Sequence, residues 1–272
     1  MVKPQDLYAP EALVEGVTGL DAVGEAEIVR YHDDGFLVVH GAFTASEVDA
    51  ARAGLAHLIM GGCPAFEDIQ FEASAAARLP ELTLDERQDA VRKLMCFSGY
   101  EPRLNALAAH PALLAILTRL LGDTPRMFQD MALLKPPQIG REKPWHQDKA
   151  YFDLPLGAPV VGVWIALDPA TVENGCMRLW PGGHKEGARP HFQRRDWQIC
   201  DTDVQGRPCV AAPLAPGGLL LFDGLVPHGT PANSSAQRRR AVQFHYAPAS
   251  ASPAPPDERL AVFGSEGKNV SC

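Results

Sequence analysis

The stretch PWHQDKAYF, residues 144–152, sets an imidazole and a carboxylate two residues apart in a strand-like context. Alternate residues of a strand point to the same face, so His146 and Asp148 are placed to share one ligand. A metal ion is one interpretation, and a hydrogen-bonded pair in the core is the other. With nine histidines in the chain, such a pair is weak evidence alone. A second pair, His32 and Asp34, is expected only to bend and cap a turn.

The sequence on either side of this stretch predicts helices first and strands afterwards. Thr44 and Glu47 form a capping-box pattern that predicts a helix to about Met60, and a second helical pattern covers about 103–121. After Pro125, short apolar runs between proline and glycine turns are typical of an antiparallel β sandwich or barrel. The runs are Met127–Lys135, Val160–Leu167, Met177–Trp180, Gly218–Phe222 and Ala241–Tyr246. We therefore expect a mostly β protein with flanking helices.

One domain over residues 1–272 is expected, because no repeat or clear boundary interrupts the chain. Residues 1–122 are interpreted as mainly helical support, 123–247 as the barrel core and 248–272 as a flexible tail. The tail prediction rests on the low-complexity run APASASPAPP. The composition, 46% hydrophobic and 21% charged, fits a globular domain with a substantial core.

Charge and composition argue against several classes of partner. The formal net charge of -8 disfavours a nucleic-acid partner, since phosphate binding needs a basic surface. No run of 18 apolar residues is present, so a membrane span is not expected. The N-terminus lacks the apolar core of a secretory signal, and six cysteines without a CxxC pair are expected to be reduced thiols of a cytoplasmic protein. The sequence leaves the oligomeric state open.

A third candidate ligand lies in GGLLLFDGLVPHGT, residues 217–230. A glycine turn and a buried strand lead into a Pro-His-Gly corner that carries His228. Two histidines and one carboxylate form the facial triad of non-haem Fe(II) oxygenases, which leaves coordination positions open for a co-substrate and oxygen. The alternative for His228 is a histidine satisfied within its turn.

A candidate anion partner, Arg239, follows His228 by eleven residues at the start of a predicted strand. An α-keto acid that chelates iron has a distal carboxylate, and the guanidinium fork suits that group. Period two sets Val242 and Phe244 on one face and Arg239 and Gln243 on the other. Arg239 faces the barrel lumen if the first face packs against the helices. Three solvated arginines at a strand end are the alternative.

These landmarks together resemble the phytanoyl-CoA dioxygenase family of Fe(II)- and 2-oxoglutarate-dependent oxygenases. The resemblance runs from YHDDGFLVV near residue 31 to the QFHYA strand near 246. Its motifs are DGFLVV, RKL at 92–94, QDMALLKPP at 129–137, PWHQDKAYF, VWIAL, ENGCMRLWPGGHK at 173–185 and PHGTPANSS. It implies a double-stranded β-helix, which is a jelly-roll, cupin-like barrel with flanking helices. It also implies Fe(II) as cofactor, with 2-oxoglutarate and O2 as co-substrates.

The resemblance assigns roles to individual residues. His146, Asp148 and His228 match the iron ligands, and Arg239 matches the partner of the 2-oxoglutarate carboxylate. The other positions that match the 2-oxoglutarate pocket are Lys93, Met131, Gln147, Trp164, Thr230 and Ser235. Threonine at position 230 replaces the serine expected there and keeps the hydroxyl group.

The implied function is oxidation of a small organic molecule, with hydroxylation as the default, coupled to decarboxylation of 2-oxoglutarate to succinate and CO2. Two alternatives are a non-catalytic binding module on the same barrel and a redox-silent, metal-dependent isomerase or hydrolase of cupin type. The long polar segment 185–213 is expected to loop over one end of the sheet, and segments 61–85 and 186–213 are candidate lids by composition. Candidate substrate-facing residues are Phe97, Tyr151, Phe152, Arg178, Trp180, Arg194 and Arg195.

Overall fold

The structure is a computed structural model that describes residues 7–264, except for the side chain of Asp85. Most of its helical residues precede residue 122. The α-helices are α1 (Glu25–Asp34), α2 (Ala45–Ile59), α3 (Leu84–Gln88), α4 (Pro102–Ala108), α5 (Pro111–Leu121), α6 (Asp201–Val204) and α7 (Pro256–Phe263). Short 3-10 helices lie at Leu20–Ala22, Ala73–Glu81, Asp148–Tyr151 and Gly183–Glu186.

Local sequence signals set the ends of these helices. At the start of α2, the Thr44 hydroxyl accepts a hydrogen bond from the Glu47 backbone N–H at 3.3 Å, and the Glu47 carboxylate accepts one from the Thr44 N–H at 2.8 Å. The predicted capping box is thus confirmed. Pro111 separates α4 from α5 because proline suits the first turn of a helix, and Gly122 ends α5 with φ 67°.

Most of the strands form two large sheets. The strands are β1 (Ala12–Leu13), β2 (Val17–Thr18), β3 (Phe36–His40), β4 (Ile69–Phe71), β5 (Val91–Met95), β6 (Pro125–Lys135), β7 (Lys143–His146), β8 (Val161–Ala166), β9 (Met177–Leu179), β10 (His191–Gln193), β11 (Trp197–Ile199), β12 (Val210–Ala212), β13 (Leu219–Asp223), β14 (His228–Thr230) and β15 (Arg239–Pro248). The larger sheet has the order β2-β3-β13-β8-β15-β6-β5-β4, and the smaller β1-β12-β9-β14-β7. Successive strands from β6 to β9 and from β12 to β15 change sheet, which winds the chain into a jelly roll. The hairpin β10-β11 stands apart.

Two apolar cores hold these layers together. The outer face of the larger sheet packs under the helices, where Val242 and Phe244 of β15 meet Leu117 of α5 within one buried cluster. The inner face packs against the smaller sheet, where Ala241 lies in a cluster with Leu179 of β9. Arg239 shares the inner face by period two. The predicted mostly β architecture with flanking helices is confirmed.

Three segments differ from the sequence prediction. Strand β7 ends at His146, so Asp148 opens a 3-10 turn rather than sharing the strand. The segment predicted as a polar loop over 185–213 contains β10, β11, α6 and β12, because buried residues such as Trp197 and Gln198 anchor it. The segment predicted as a flexible tail contains α7, whose Phe263 is fully buried beside His191. Residues 265–272 of that tail lie outside the described part of the chain.

The cysteine prediction is wrong at one position. Cys200 takes part in a disulfide bond. Cys63, Cys96, Cys176 and Cys209 are free thiols, as the sequence predicted.

Within residues 7–264, no single helix has the length and apolar composition needed to cross a membrane. The pair α4 and α5, bent by 44° at its break, passes such a test jointly.

Candidate active site

His146, Asp148 and His228 converge on the cavity between the two sheets. His146 ends β7 and pairs in register with His228, the first residue of β14, and Asp148 follows in the next turn. The Asp148 Oδ1 atom lies 3.2 Å from Nε2 of His146 and 3.6 Å from Nε2 of His228. One donor atom from each residue falls within 4.8 Å of the others, and all three side chains are buried. The structure therefore brings the predicted triad together in a geometry that suits a metal ion.

Backbone carbonyls fix the tautomer of both histidines. Nδ1 of His146 lies 2.8 Å from the Pro144 carbonyl oxygen, and Nδ1 of His228 lies 3.0 Å from the Val226 carbonyl oxygen. Because a carbonyl only accepts hydrogen bonds, each Nδ1 carries the proton and donates it. Each Nε2 is left with a lone pair that faces Asp148. This is the arrangement that a histidine ligand to a metal requires.

A glutamine and a third histidine orient the Asp148 carboxylate. Its Oδ2 atom accepts hydrogen bonds from Nε2 of Gln243 at 3.0 Å and from Nε2 of His245 at 2.7 Å. Burial alone would raise the pKa of this carboxyl, but the histidines around it, led by His228, hold that pKa well below its usual range. Asp148 is thus ionised, with Oδ1 directed at the two ligand histidines. No sequence motif marked Gln243 or His245 as part of the site, although alternation along β15 places both on the face of Arg239.

The cavity has a volume of about 320 Å³ and runs from the triad to Arg239. The predicted residues Lys93, Met131, Trp164 and Thr230 line it. Gln129 also lines it, and its Oε1 atom is buried with no hydrogen-bond partner within the described part of the chain. Gln129 lies on β6 two residues before Met131, so alternation along the strand was the signal that would have found it.

Within residues 7–264, Arg239 is a buried cation with no carboxylate oxygen within 4 Å of its guanidinium. Its side chain is 2% exposed, and its Nη1 atom reaches only the Leu133 carbonyl oxygen, at 3.4 Å. Among residues 7–264, neither its Nε atom nor the Nε1 atom of Trp164 has a hydrogen-bond partner. The guanidinium lies over the Trp164 ring at 5.4 Å, and burial lowers its pKa to about 10. Since burying an unpaired charge is costly, these donors fit a bound anion.

Two predicted pocket residues point elsewhere. Gln147 lies between His146 and Asp148 in the sequence, and its side chain projects away from theirs. Its Nε2 atom donates hydrogen bonds to the carbonyl oxygens of Gly187 and Leu225, at 2.8 and 2.6 Å. The Ser235 hydroxyl donates to Asn233 Oδ1 at 2.9 Å within its own turn. Neither residue lines the cavity, so the structure gives Gln147 and Ser235 local structural roles.

Both segments proposed as lids contribute to the mouth of the cavity. Gln70 and Glu72 come from the first segment, and Asp196 comes from the second. Of the candidate substrate-facing residues, Tyr151 and Phe152 line the cavity. Arg194 is exposed and does not line the cavity. The other four make contacts outside the cavity lining: Phe97 with Phe244, Arg178 with the Tyr8 carbonyl oxygen, Trp180 with Arg189 and Arg207, and Arg195 with Glu142 and Asp201. The lid motion itself stays a prediction.

Two buried histidines are expected to make the metal-free protein less stable in acid. Burial lowers the pKa of His228 to about 4 and that of His191 to about 3, and Nε2 of His191 accepts a hydrogen bond from the Gln147 N–H at 3.0 Å. In the unfolded chain a histidine has a pKa near 6.5, whereas the pKa values of these two are lower in the folded protein. Below pH 6.5 the unfolded state therefore binds more protons than the folded state, and acid stabilises it. The melting temperature of the metal-free protein is therefore expected to fall as the pH drops from about 6.5 to about 4.

The His191→Gln variant serves as the matched measurement, since it removes one of the two titrating groups. Its melting temperature, followed by circular dichroism, is expected to fall less steeply over the same pH range. An equal slope in both proteins would show that His191 is not held neutral.

The chain is similar to one family of known proteins. The family model described as Phytanoyl-CoA dioxygenase (PhyH) matches residues 31–241. The phytanoyl-CoA dioxygenase domain-containing protein 1 of Danio rerio is 26% identical over 264 residues, covering 83% of this chain and 90% of its own length. The L-proline trans-4-hydroxylase of Streptomyces griseoviridis is 28% identical over 251 residues, with 84% of this chain and 88% of the relative covered.

A solved structure has the same fold. EvdO2 from Micromonospora carbonacea var. aurantiaca, complexed with 2-oxoglutarate, superposes with a TM-score of 0.67 at 26% identity and covers 89% of this chain and 97% of its own. The family match spans well over half of the chain, and it agrees with the buried triad. These findings confirm the predicted jelly-roll fold and the predicted iron and 2-oxoglutarate dependence. The chain belongs to the phytanoyl-CoA dioxygenase family, among the Fe(II)- and 2-oxoglutarate-dependent oxygenases.

Proposed function

We propose that this protein hydroxylates a small organic molecule and couples that oxidation to the decarboxylation of 2-oxoglutarate. The balanced reaction converts a substrate C–H bond, O2 and 2-oxoglutarate into the alcohol, succinate and CO2. One oxygen atom enters the alcohol and the other enters succinate. The observation that carries this proposal is the buried triad in one cavity with an unpaired buried arginine.

His146 and His228, through Nε2, and Asp148, through Oδ1, would hold the iron. The fit rests on the two fixed histidine tautomers and on the ionised carboxylate. Bound iron supplies the activation of oxygen, and 2-oxoglutarate supplies the two further electrons that the reduction of oxygen needs. The protein supplies the ligand geometry and a buried site from which water is excluded.

Arg239 would bind the distal carboxylate of 2-oxoglutarate. Trp164 offers an N–H donor and Thr230 a hydroxyl in the same cavity, and Lys93 adds positive charge near the dianion. Burial lowers the pKa of Lys93, so a bound anion is expected to raise that pKa again. A redox-silent isomerase or hydrolase has no use for Arg239, which favours the oxygenase over that alternative.

Succinate formation tests the proposed function. The Fe(II)-loaded protein is expected to convert 2-oxoglutarate slowly to succinate in air without added substrate, and the rate is expected to rise with a true substrate. Mass spectrometry of succinate formed under labelled oxygen is expected to show one labelled atom. Succinate formed at the same rate without oxygen or iron would contradict the proposal.

Gln243 is expected to act as a positioning residue for the iron. Gln243→Ala removes one of the two hydrogen bonds that orient the Asp148 carboxylate, and such outer contacts are typically worth roughly 10- to 100-fold in metal affinity. Titration of the metal-free protein with Co(II) measures the effect through the visible bands of the bound ion. Gln193→Ala, which changes an exposed glutamine on β10, is the control and is expected to bind Co(II) as the wild type does. Equal affinity in Gln243→Ala would contradict the positioning role.

The cytoplasmic location, the single domain and the lack of a nucleic-acid or membrane partner stay predictions from the sequence.

A further inference from the structure

Five charged residues surround the mouth of the cavity: Glu72, Arg92, Arg141, Lys143 and Asp196. We call them the mouth cluster. Two ion pairs account for four of them, since Arg141 Nε lies 2.8 Å from Glu72 and Lys143 Nζ lies 2.8 Å from Asp196. The fifth, Arg92, carries an extra positive charge. The mouth cluster therefore has three cations for two anions, and Glu142, which also lines the cavity, is hydrogen-bonded to Tyr8 and Arg195 instead.

Arg92 is near both carboxylates but hydrogen-bonded to neither. Its Nη1 atom lies 3.8 Å from Glu72, and its Nη2 atom lies 3.9 Å from Asp196. These separations exceed hydrogen-bond length, and within residues 7–264 the guanidinium has no other ion-pair partner. Its side chain is only 25% exposed. A half-buried guanidinium thus keeps its five donors for another acceptor.

A β-bulge turns Arg92 into the cavity. In the pairing of β4 with β5, Gln70 faces Lys93 and the next residue, Phe71, faces Val91, so Arg92 is the extra residue. A bulge changes the direction of the side chain that it carries, and bulges are frequent beside active sites. As a result, Arg92 and Lys93 both line the cavity although they are adjacent in sequence. Ordinary alternation would have sent one of them to the opposite face.

Within residues 7–264, the Arg92 guanidinium has two long ion-pair contacts but no hydrogen-bonded acceptor, and the proposed co-substrate does not supply one. Arg239 and Lys93 lie deeper and are assigned to 2-oxoglutarate, while Glu72 and Asp196 already have closer cations. A partly buried cation attracts an anion more strongly than a solvated one, because the surrounding dielectric constant is lower. The cavity of about 320 Å³ holds both reactants, which restricts the second one to a small molecule.

We propose that Arg92 binds a carboxylate group of the organic substrate, so that the enzyme oxidises a small carboxylic acid. This inference rests on the proposed function. The planar fork of Arg92 matches the two oxygens of a carboxylate. Glu72 and Asp196, each within 4 Å of the guanidinium, repel any anion, and they repel a doubly charged phosphate more strongly than a singly charged carboxylate. Tyr151 and Phe152 line the same cavity and provide an apolar wall for the carbon skeleton.

Calorimetric titration with matched pairs tests this assignment. The protein is loaded with Mn(II) and 2-oxoglutarate without oxygen. It is then titrated with small carboxylic and amino acids, starting with L-proline, and with the carboxamide of each. At least one acid is expected to bind tenfold or more tightly than its carboxamide. In Arg92→Gln that preference is expected to disappear through weaker binding of the acid, while Arg92→Lys retains part of it.

Arg119→Gln is the matched control, since Arg119 has a similar exposure and pairs with Glu25 far from the cavity. It is expected to keep the full preference for the acid. Thermal melting checks that each variant is folded. The inference is overturned if no acid binds better than its carboxamide, if Arg92→Gln keeps the preference, or if only phosphorylated compounds bind.

Binding of 2-oxoglutarate separates this inference from the proposed function. Arg92→Gln is expected to bind 2-oxoglutarate within about twofold of the wild type, because Arg92 is assigned to the other reactant. If the wild type binds no 2-oxoglutarate, the proposed function fails. If it binds 2-oxoglutarate normally and the acids show no dependence on Arg92, only the substrate assignment fails.

Discussion

Replacement of Asp148 by alanine is expected to abolish tight Fe(II) binding and, with it, turnover of 2-oxoglutarate. Asp148 is the only carboxylate in the candidate triad, and its Oδ1 atom lies within 3.6 Å of both histidine Nε2 atoms. The variant removes the charged ligand and leaves only the two neutral imidazole ligands of His146 and His228. The loss of affinity is expected to exceed the roughly 10- to 100-fold typical of an outer-sphere contact. Anaerobic titration of the metal-free protein measures it.

Asp153→Ala is the control for this variant. Asp153 is exposed and pairs with Arg259 away from the cavity, so its loss is expected to leave metal affinity unchanged and to cost at most about 1 kcal/mol of stability. If Asp148→Ala binds Fe(II) as tightly as Asp153→Ala does, the metal lies elsewhere and the proposed triad is wrong.

Replacement of Arg239 by glutamine is expected to weaken 2-oxoglutarate binding and leave metal binding in place. Removing one partner of a buried, hydrogen-bonded charge pair typically costs about 2–5 kcal/mol, which corresponds to roughly thirtyfold or more in the dissociation constant. We expect a loss of 2-oxoglutarate affinity of this size, because Arg239 is buried and has no carboxylate partner in the described part of the chain. Calorimetry with Mn(II)-loaded protein gives both affinities in one series.

The neighbouring arginine provides the matched control. Arg238 pairs with Asp89 at 2.8 Å and is 30% exposed. Arg238→Gln is therefore expected to bind 2-oxoglutarate as the wild type does. Equal weakening in both variants would indicate a general electrostatic effect rather than a specific partner.

Local chemistry made several parts of the fold predictable from the sequence. The capping box at Thr44 and Glu47 and the glycine at position 122 depend on a few neighbouring residues, so they mark the ends of helices reliably. The alternation along β15 likewise set Val242 and Phe244 under the helices and left Arg239 on the cavity side.

Tertiary contacts decided what the sequence did not reveal. The pairing of Gln243 and His245 with Asp148 joins positions almost one hundred residues apart, so no local pattern announces it. The end of β7 at His146 and the turn that begins at Asp148 are likewise not marked in the sequence, where a strand pattern continues through both residues. The bulge at Arg92 depends on how β4 and β5 pair, which is a property of the whole sheet. The disulfide of Cys200 likewise has no signal in the spacing of the cysteines.

The most direct test of the central claim is the visible spectrum of the protein after anaerobic addition of Fe(II) and then 2-oxoglutarate. The weak charge-transfer band of an iron-chelated keto acid is expected in the wild type. It is expected to be absent from Asp148→Ala and to need far more 2-oxoglutarate in Arg239→Gln. A folded wild type that binds iron without showing this band would contradict the oxygenase assignment and favour a redox-silent metal site. A wild type that binds no iron would favour a non-catalytic module on the same barrel.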